Sequence, residues 1–184
     1  AQGSVSFTDQ GADRAEFTMP AKPVVVSITW KRIGDIRDVT DVAGNALQAQ
    51  LVDTGRALAD KALPEDAMNL VLGGMNVDIW LESADGISDS DVAAVANELD
   101  GWTLVKEVDL TLFYGLNGTT EQVHETRSPL TVRLTLPDSA INADESKERS
   151  YEVIRVHDGK AEVLPASFDE QAKVLTFETD RFSA

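Results

Sequence analysis

The heptapeptide Leu-Thr-Val-Arg-Leu-Thr-Leu, residues 130–136, alternates apolar and polar side chains without a fault. Because successive side chains of a β-strand point to opposite faces, the alternation predicts a strand with one buried face. Pro137 follows and has no N–H to donate, so the strand should end there. The predicted buried face consists of Leu130, Val132, Leu134 and Leu136, and the predicted opposite face consists of Thr131, Arg133 and Thr135.

A hairpin is predicted after this strand. Its two apolar-rich runs span residues 151–157 and 160–164, and the pair Asp158-Gly159 separates them. Asp-Gly is a strong hairpin signal, because a type I′ turn needs a positive φ at both central residues. Another alternating run, residues 173–178, predicts a further strand. The last third of the chain is therefore predicted to be a succession of antiparallel strands.

The first two thirds of the chain mix strand and helix patterns. Alternation predicts short strands within residues 4–30, a strand over 77–82 and a longer one over 104–114. Helical spacing predicts helices over 47–63 and 88–99. Together these elements predict a mainly β, antiparallel β-sandwich-like fold with two short helical insertions, which is α+β in a coarse classification.

The connections between these elements follow from their turn residues. Ser88 and Asp91 form a capping box at the start of the second predicted helix. Residues 31–45 are polar and mixed, which predicts a linker or an irregular crossover. Residues 115–128 are predicted to form a loop or turn built on Asn117-Gly118.

The charge of the chain excludes some classes of partner. It has 32 acidic and 16 basic residues and a net charge of −16. This charge repels phosphate backbones and anionic lipids, so we expect neither a nucleic-acid partner nor adsorption to a membrane. No run of about 18 apolar residues is present, so we expect no membrane insertion.

Cysteine usage and the chain ends lead to two further expectations. Because cysteine is absent, disulfides, thiol catalysis and Cys-ligated metal centres are excluded. Ala1 begins abruptly, and the sequence stops directly after a predicted strand. We therefore expect the chain to be a piece of a larger protein.

The segment 16–30, Glu-Phe-Thr-Met-Pro-Ala-Lys-Pro-Val-Val-Val-Ser-Ile-Thr-Trp, resembles the closing strands of a bacterial repeat. The repeat occurs in internalin-type and other Gram-positive surface proteins. There, a phrase similar to Phe-Thr-Met-Pro-Ala, two residues and Val-Thr-Val precedes the last strand. The resemblance covers about residues 4–30 and implies that residues 1–32 are the C-terminal strands of such a repeat.

A second resemblance covers roughly residues 45–183. The stretches that carry it are Val-Asp-Ile-Trp-Leu at 77–81, residues 110–113, residues 130–137, Tyr-Glu-Val-Ile-Arg-Val-His-Asp-Gly-Lys at 151–160 and Leu-Thr-Phe-Glu-Thr-Asp-Arg-Phe-Ser at 175–183. They resemble a C-terminal β-rich module that recurs in large secreted or wall-anchored proteins of Gram-positive gut bacteria. The resemblance implies an extracellular location, at the cell surface or cell wall, and an accessory role, and it transfers no functional residue. The predicted domains are then 1–32, a linker over 33–45 and the module over 46–184.

His157 beside Asp158 is the pair that invites a catalytic interpretation. Both residues lie where a strand meets a tight turn, so a structural role in the hairpin is the favoured interpretation. No Gly-x-Ser-x-Gly nucleophile motif and no His-Glu-x-x-His zinc motif occurs in the sequence. We therefore expect no catalytic residue and no enzymatic activity.

Two tryptophans are the candidate ligand-binding residues. Trp80 lies on the strand face opposite to the apolar residues of 77–81, so it is either exposed or covered by another element. We expect the predicted helix over 88–99 to cover it. An exposed Trp80 or Trp102 would instead stack on a sugar ring.

Three aspartates are the candidate metal ligands. Asp85, Asp89 and Asp91 bring oxygen ligands together before a helix, and calcium prefers such ligands. Their spacing lacks the Gly and Glu of an EF-hand loop, and the helix macrodipole by itself favours acidic residues there. We expect no cofactor, with calcium at these aspartates as the alternative. A Lys–Asn isopeptide crosslink between Lys106 and Asn117 is a further alternative, since wall-anchored surface modules sometimes carry one.

These patterns together predict a non-catalytic structural or adhesive module of a larger extracellular bacterial protein. The expected partners are neighbouring domains of the same chain, and a host or dietary glycan or a host protein. The alternative is a carbohydrate-binding module appended to a secreted glycan-degrading enzyme. A small hydrolase is a third alternative, against which the missing nucleophile and metal motifs count.

Overall fold

The computed structural model describes residues 8–9, 15–16, 32–39, 48–99, 101–142, 144 and 149–183. The chain divides into two compact units, Ala1–Lys31 and Arg32–Ala184. In the first unit, strands β1 (Thr8–Asp9) and β2 (Ala15–Glu16) pair antiparallel. The strand predicted towards Trp30 lies outside the described residues.

The second unit alternates strands with short helices. The described elements run in the order β3 (Ile36–Val39), β4 (Gln48–Leu51), α1 (Gly55–Ala62), α2 (Glu65–Leu72), β5 (Val77–Asp85), α3 (Asp89–Glu98), β6 (Val108–Leu116), β7 (Thr119–Val123), β8 (Glu125–Thr135), a 3₁₀ turn (Asp138–Ala140), β9 (Val153–His157), β10 (Lys160–Leu164), β11 (Ala166–Asp169) and β12 (Val174–Arg181). The fold is β-rich α+β, as the sequence predicts, with three α-helices in the described part rather than two. None of the described helices is long and apolar enough to span a membrane.

Eight strands of this unit form two four-stranded sheets. The first sheet has the order β11–β12–β8–β4 and is antiparallel throughout. The second has the order β3–β5–β6–β7, in which only the edge pair β3–β5 is parallel. Strands β9 and β10 pair with each other as a two-stranded hairpin.

The run 130–136 lies at the centre of the first sheet, within and just beyond β8. The four side chains predicted to be buried are at most 5% exposed, which confirms the alternation argument. Helix α1 packs on β8 and fills the core with Leu58, while β5 and β6 contribute side chains from the second sheet. The largest fully buried side chains are Leu58, Leu63, Val71, Val77, Ile79, Leu112, Leu130 and Val132.

Both predicted tight turns have left-handed backbone at their two central residues. The φ values are 50° at Asp158 and 69° at Gly159, and 52° at Asn117 and 80° at Gly118. These values fit the type I′ turn predicted for Asp-Gly, and the turn at Asn-Gly has the same left-handed backbone. The loop predicted over 115–128 is wrong beyond the turn itself, because β7 and the start of β8 follow it directly.

The single helix predicted over 47–63 is wrong in its first half, over the described residues 48–54. Residues 48–51 instead form β4, in which Leu51 pairs with Val132 of β8. Gly55 has a φ of 53° and begins α1, so the chain turns there rather than continuing one helix. Pro64 then separates α1 from α2, a helix that the sequence patterns do not predict.

Within the predicted linker over 33–45, the described residues 33–39 contain a strand. Residues 36–39 form β3, and Ile36 pairs with Val77 of β5. Gly34 makes this pairing possible, because a Cβ at this position would lie 1.7 Å from the carbonyl oxygen of Met75. Polar composition therefore conceals an edge strand, which needs few apolar residues because only part of it is covered.

Candidate functional site

A cavity of about 700 Å³ lies between α3, the irregular segment 101–107, β6 and the β9–β10 hairpin. We call it the hairpin cavity. It exists because the hairpin packs mainly on α3 and pairs with neither sheet, which leaves space above the inner faces of β8 and β12. Its volume lies within the range of roughly 300–1,000 Å³ that is usual for small-molecule sites.

The hairpin cavity has an apolar floor and an apolar mouth. The floor is built from buried side chains that β8, β10, β12 and the residues next to them contribute. The mouth is the segment 101–107, where Trp102 is 42% exposed, Leu104 40% and Val105 51%. The floor residues are Leu134, Leu136, Leu164, Leu175, Phe177 and Phe182.

Two carboxyl groups lie at the end of the cavity where α3 meets β6. Asp109 of β6 is half-buried and accepts a hydrogen bond from the hydroxyl of Ser183. Burial raises the pKa of Asp109 above its ordinary value, and the negative charge of Asp91 raises it further. Asp91 itself accepts a hydrogen bond of 2.7 Å from the hydroxyl of Ser88. The two carboxyl groups therefore add negative charge to the same end of the cavity.

Arg155 of β9 also lines the cavity. Its Nη1 donates to Oδ1 of Asp180 at 2.5 Å, and its Nη2 donates to Oε2 of Glu162 at 2.6 Å. Burial lowers the pKa of Arg155, but the two carboxylates raise it by more, so the guanidinium stays charged. The hydrogen bond from Arg155 likewise lowers the pKa of Asp180 below its ordinary value, against a smaller effect of burial.

Phe182 and Ser183 fasten several elements together, and we call them the terminal clamp. The backbone N–H of Phe182 donates to the carbonyl of His124, and that of Ser183 donates to the carbonyl of Leu110 in β6, both at 2.9 Å. Gln122 of β7 donates its side-chain amide to the Ser183 carbonyl at 2.7 Å. Because β12 precedes the clamp in the first sheet, these bonds join the first sheet to the second.

Both histidines hold the terminal clamp. Nδ1 of His157 lies 3.0 Å from the carbonyl oxygen of Phe182, and Nδ1 of His124 lies 3.1 Å from that of Ser183. A carbonyl oxygen only accepts, so each Nδ1 must carry the proton and donate. The favoured interpretation of His157 and Asp158 as hairpin residues agrees with this geometry.

Trp80 does not have the cover that we expect from the sequence. It is half-buried and stacks on Phe113 of the neighbouring strand β6, with ring centroids 5.5 Å apart and 22° between the ring planes. Its Nε1 donates to Glu82 at 2.8 Å. The expectation that helix α3 covers Trp80 is wrong, because α3 packs on the β9–β10 hairpin. Trp102, in contrast, lies exposed at the cavity mouth.

The three candidate metal ligands have different surroundings. Asp85 is exposed and pairs with Lys106 at 2.7 Å, Asp89 is exposed in the first turn of α3, and Asp91 contacts the helix cap Ser88. Among the described residues, no group of three or more His, Cys, Asp or Glu side chains is arranged to hold a metal ion. The expectation about cofactors stays a prediction.

The isopeptide alternative fails on distance. Lys106 lies two residues before β6 and Asn117 directly follows it, so the whole of this extended strand separates them. At about 3.4 Å per residue, the two residues lie roughly 35 Å apart. Lys106 instead forms the ion pair with Asp85.

Comparisons with protein-family models, with curated proteins and with solved structures found no match for this chain. The functional argument therefore rests on the residues and on the geometry of the second unit. Two features dominate that geometry, the terminal clamp and the hairpin cavity.

The sequence contains only weak signals of these two features. Residues 104–107 look like the beginning of a strand, but they form irregular structure at the cavity mouth. Phe182 and Ser183 look like the end of a strand, and nothing local indicates that their backbone bonds to another sheet. The run 99–105 is the one signal of the cavity mouth. It has four large apolar residues but no regular period, which is unusual for a strand or a helix.

Proposed function

We propose that this chain is a non-catalytic structural and adhesive module of a larger extracellular bacterial protein. Its work is to remain folded under load while it presents or supports neighbouring domains of the same chain. The resemblance over residues 45–183 supports the location and the accessory role. The terminal clamp is the observation that carries the structural part of the proposal.

The clamp directly continues β12, so a force applied along this strand would also load the clamp. Strand β12 lies between β8 and β11, and its ladder hydrogen bonds run perpendicular to the strand direction. A force along β12 therefore loads many of these bonds at once. Phe182 and Ser183 add bonds to His124 and to Leu110, so the second sheet shares the load.

Polar side chains inside this unit act as fasteners, which supports a non-catalytic role. Asp53 accepts from Lys61 at 2.6 Å and from the backbone N–H of Thr131 at 2.9 Å, and so ties the start of α1 to β8. Burial raises the pKa of Asp53, but these hydrogen bonds lower it by more. Arg155 and His157 similarly join the hairpin to the residues around Asp180 and Phe182.

Force spectroscopy on the full chain, held between identical handle domains, tests the proposal. We expect the unit to unfold in one step, and the double variant Gln122→Ala, Ser183→Ala to unfold at a lower force. Ser167→Ala on β11 is the matched control, because its side chain is exposed on the edge strand. If the double variant and the control unfold at the same force as the unchanged chain, the side-chain bonds of the clamp bear no load and the load-bearing part of the proposal fails.

A carbohydrate-binding module is the second candidate, and the exposure of Trp102 favours it. An exposed aromatic ring beside a cavity is the usual platform for a sugar ring. A glycan array run with and without calcium tests it, with Trp102→Ala as the test variant and Trp80→Ala as the control. Specific binding that Trp102→Ala abolishes would support this candidate, and silence across the array in both buffers would remove it.

A further inference from the structure

We propose that the hairpin cavity binds a small amphipathic ligand with an apolar body and a cationic head group. This site goes beyond the proposed structural role, which needs no ligand. The proposal rests on three observations: the apolar floor, the charges that line the cavity and the exposed mouth.

The floor suits an apolar body. Six large side chains, none more than 7% exposed to solvent, form it below an open volume of about 700 Å³. Strand β9 runs along the same space, and Val153, Ile154 and Val156 stay half-buried because no sheet covers them. A ligand that removes these surfaces from water gains about 25 cal/mol for each Å² of apolar area buried.

The cations that line the cavity are already neutralised from outside it. Each of them pairs with at least one carboxylate that is not part of the lining, so an anionic ligand would have to compete with a carboxylate that is already in place. Arg155 has two such partners, which makes this cluster negative overall. The pairs are Lys106 with Asp85, Arg149 with Glu170, Arg155 with Glu162 and Asp180, and Arg181 with Glu125.

The acids that line the α3–β6 end have neutral partners instead. Asp91 contacts Ser88, and Asp109 contacts Ser183, so neither negative charge is compensated by a cation in the described part of the chain. The net charge of −16 adds a long-range field of the same sign. A cationic head group at this end would therefore be attracted, and an anionic one repelled.

The mouth provides an entry path that suits the same ligand. Trp102, Leu104 and Val105 are the exposed apolar side chains of the irregular segment. An indole ring also attracts alkylammonium groups through its π face. The mouth and the acidic end therefore favour the same class of ligand, an alkylammonium compound.

Isothermal titration calorimetry on the full chain tests the proposal with three probes of equal chain length. The probes are decyltrimethylammonium and decanoate, each below its micelle concentration, and decanol below its solubility limit. We expect decyltrimethylammonium to bind about tenfold more tightly than decanol, and decanoate to bind most weakly. NMR shift changes should centre on α3, β6 and β9. Equal affinity for all three probes, or no binding of any, would overturn the proposal.

Two charge variants then locate the head group. Asp91→Asn and Asp109→Asn should each weaken decyltrimethylammonium binding several-fold and leave decanol binding unchanged. The control is Asp60→Asn on α1, a residue whose exposed carboxylate pairs with Arg56 outside the cavity. If Asp109→Asn fails to fold because it disturbs Ser183, Asp91→Asn alone decides. An unchanged preference for the cationic probe in Asp91→Asn would overturn the assignment of the head group to this end.

Discussion

The two apolar-rich strands β8 and β9 belong to the same unit but differ in how completely their apolar side chains are buried. Leu130 and Val132 of β8 are completely buried, whereas Val153, Ile154 and Val156 of β9 remain half-buried beside an open cavity. Residues 130–135 of β8 alternate strictly, so one face of this stretch closes in the core with side chains of α1 and of the second sheet. Strand β9 has consecutive apolar residues and no neighbouring sheet, so neither face is fully covered. The fold is therefore closed between its sheets and open beside its hairpin.

The largest difference should appear when one apolar side chain is shortened in each strand. Leu130→Ala leaves a cavity in a closed core and should lower the free energy of unfolding by about 2–5 kcal/mol. Val156→Ala removes fewer contacts beside existing space and should cost about 1 kcal/mol or less. Urea unfolding at pH 7 measures both. Equal losses would mean that the hairpin side is packed as tightly as the core.

The second largest effect concerns the carboxylate of Asp53, which joins the start of α1 to β8 through its hydrogen bonds. Asp53→Ala leaves the N–H of Thr131 and the ammonium of Lys61 without their carboxylate, and should cost about 1.5–3 kcal/mol. Asp60→Ala removes an exposed pair on the same helix and should cost only about 0.5 kcal/mol or less. Thermal unfolding of both variants measures the contrast. A loss from Asp60→Ala as large as that from Asp53→Ala would contradict the role of Asp53.

The contribution of Asp53 should also depend on pH. The pKa of Asp53 is lower in the folded chain than its ordinary value of 3.8, so the folded state favours the charged carboxylate. The stabilisation is complete above pH 3.8 and is lost as the pH falls through the folded-state pKa. The difference in free energy of unfolding between the unchanged chain and Asp53→Asn should therefore shrink between pH 5 and pH 2.5. A difference that grows on acidification would reverse the sign and refute this account.

The smallest effect concerns the helix that forms one wall of the hairpin cavity. The hydroxyl of Ser88 accepts a hydrogen bond from the N–H of Asp91 at 3.2 Å and caps α3. Ser88→Ala should cost about 1 kcal/mol, and Ser167→Ala on β11 should cost almost nothing. Circular dichroism during thermal unfolding reports both. A larger loss of stability for Ser167→Ala than for Ser88→Ala would show that the cap does not stabilise α3.

Local patterns account for much of the first sheet and of the turns. Strict alternation around Val132, the turn pair Asp158-Gly159 and the cap at Ser88 each depend on neighbouring residues only, so the sequence alone predicts them. The sequence pattern predicts one helix where the structure has strand β4 and helix α1, because Leu51 fits both the helical and the strand spacing of apolar residues. Only the pairing of Leu51 with Val132, 81 residues further along the chain, decides for a strand.

The candidate site could not be predicted for the same physical reason. The hairpin cavity depends on where β9 and β10 pack, and that choice is made by contacts with α3 that are distant in sequence. Trp102 is exposed at the cavity mouth and stays a candidate, whereas Trp80, which the sequence places beneath α3, instead stacks on Phe113. Strand β3 was missed because its partner Val77 is not local and its own composition is polar.

Native-state hydrogen exchange at the amides of Phe182 and Ser183 tests the central claim, that the clamp belongs to the closed part of the fold. Both amides donate to carbonyls outside β12. We expect them to exchange only on global unfolding, with the same free energy as the amides of β8, while the hairpin amides of β9 exchange earlier. If the two clamp amides exchange with the hairpin or faster, the clamp does not join the two sheets and the structural proposal loses its basis.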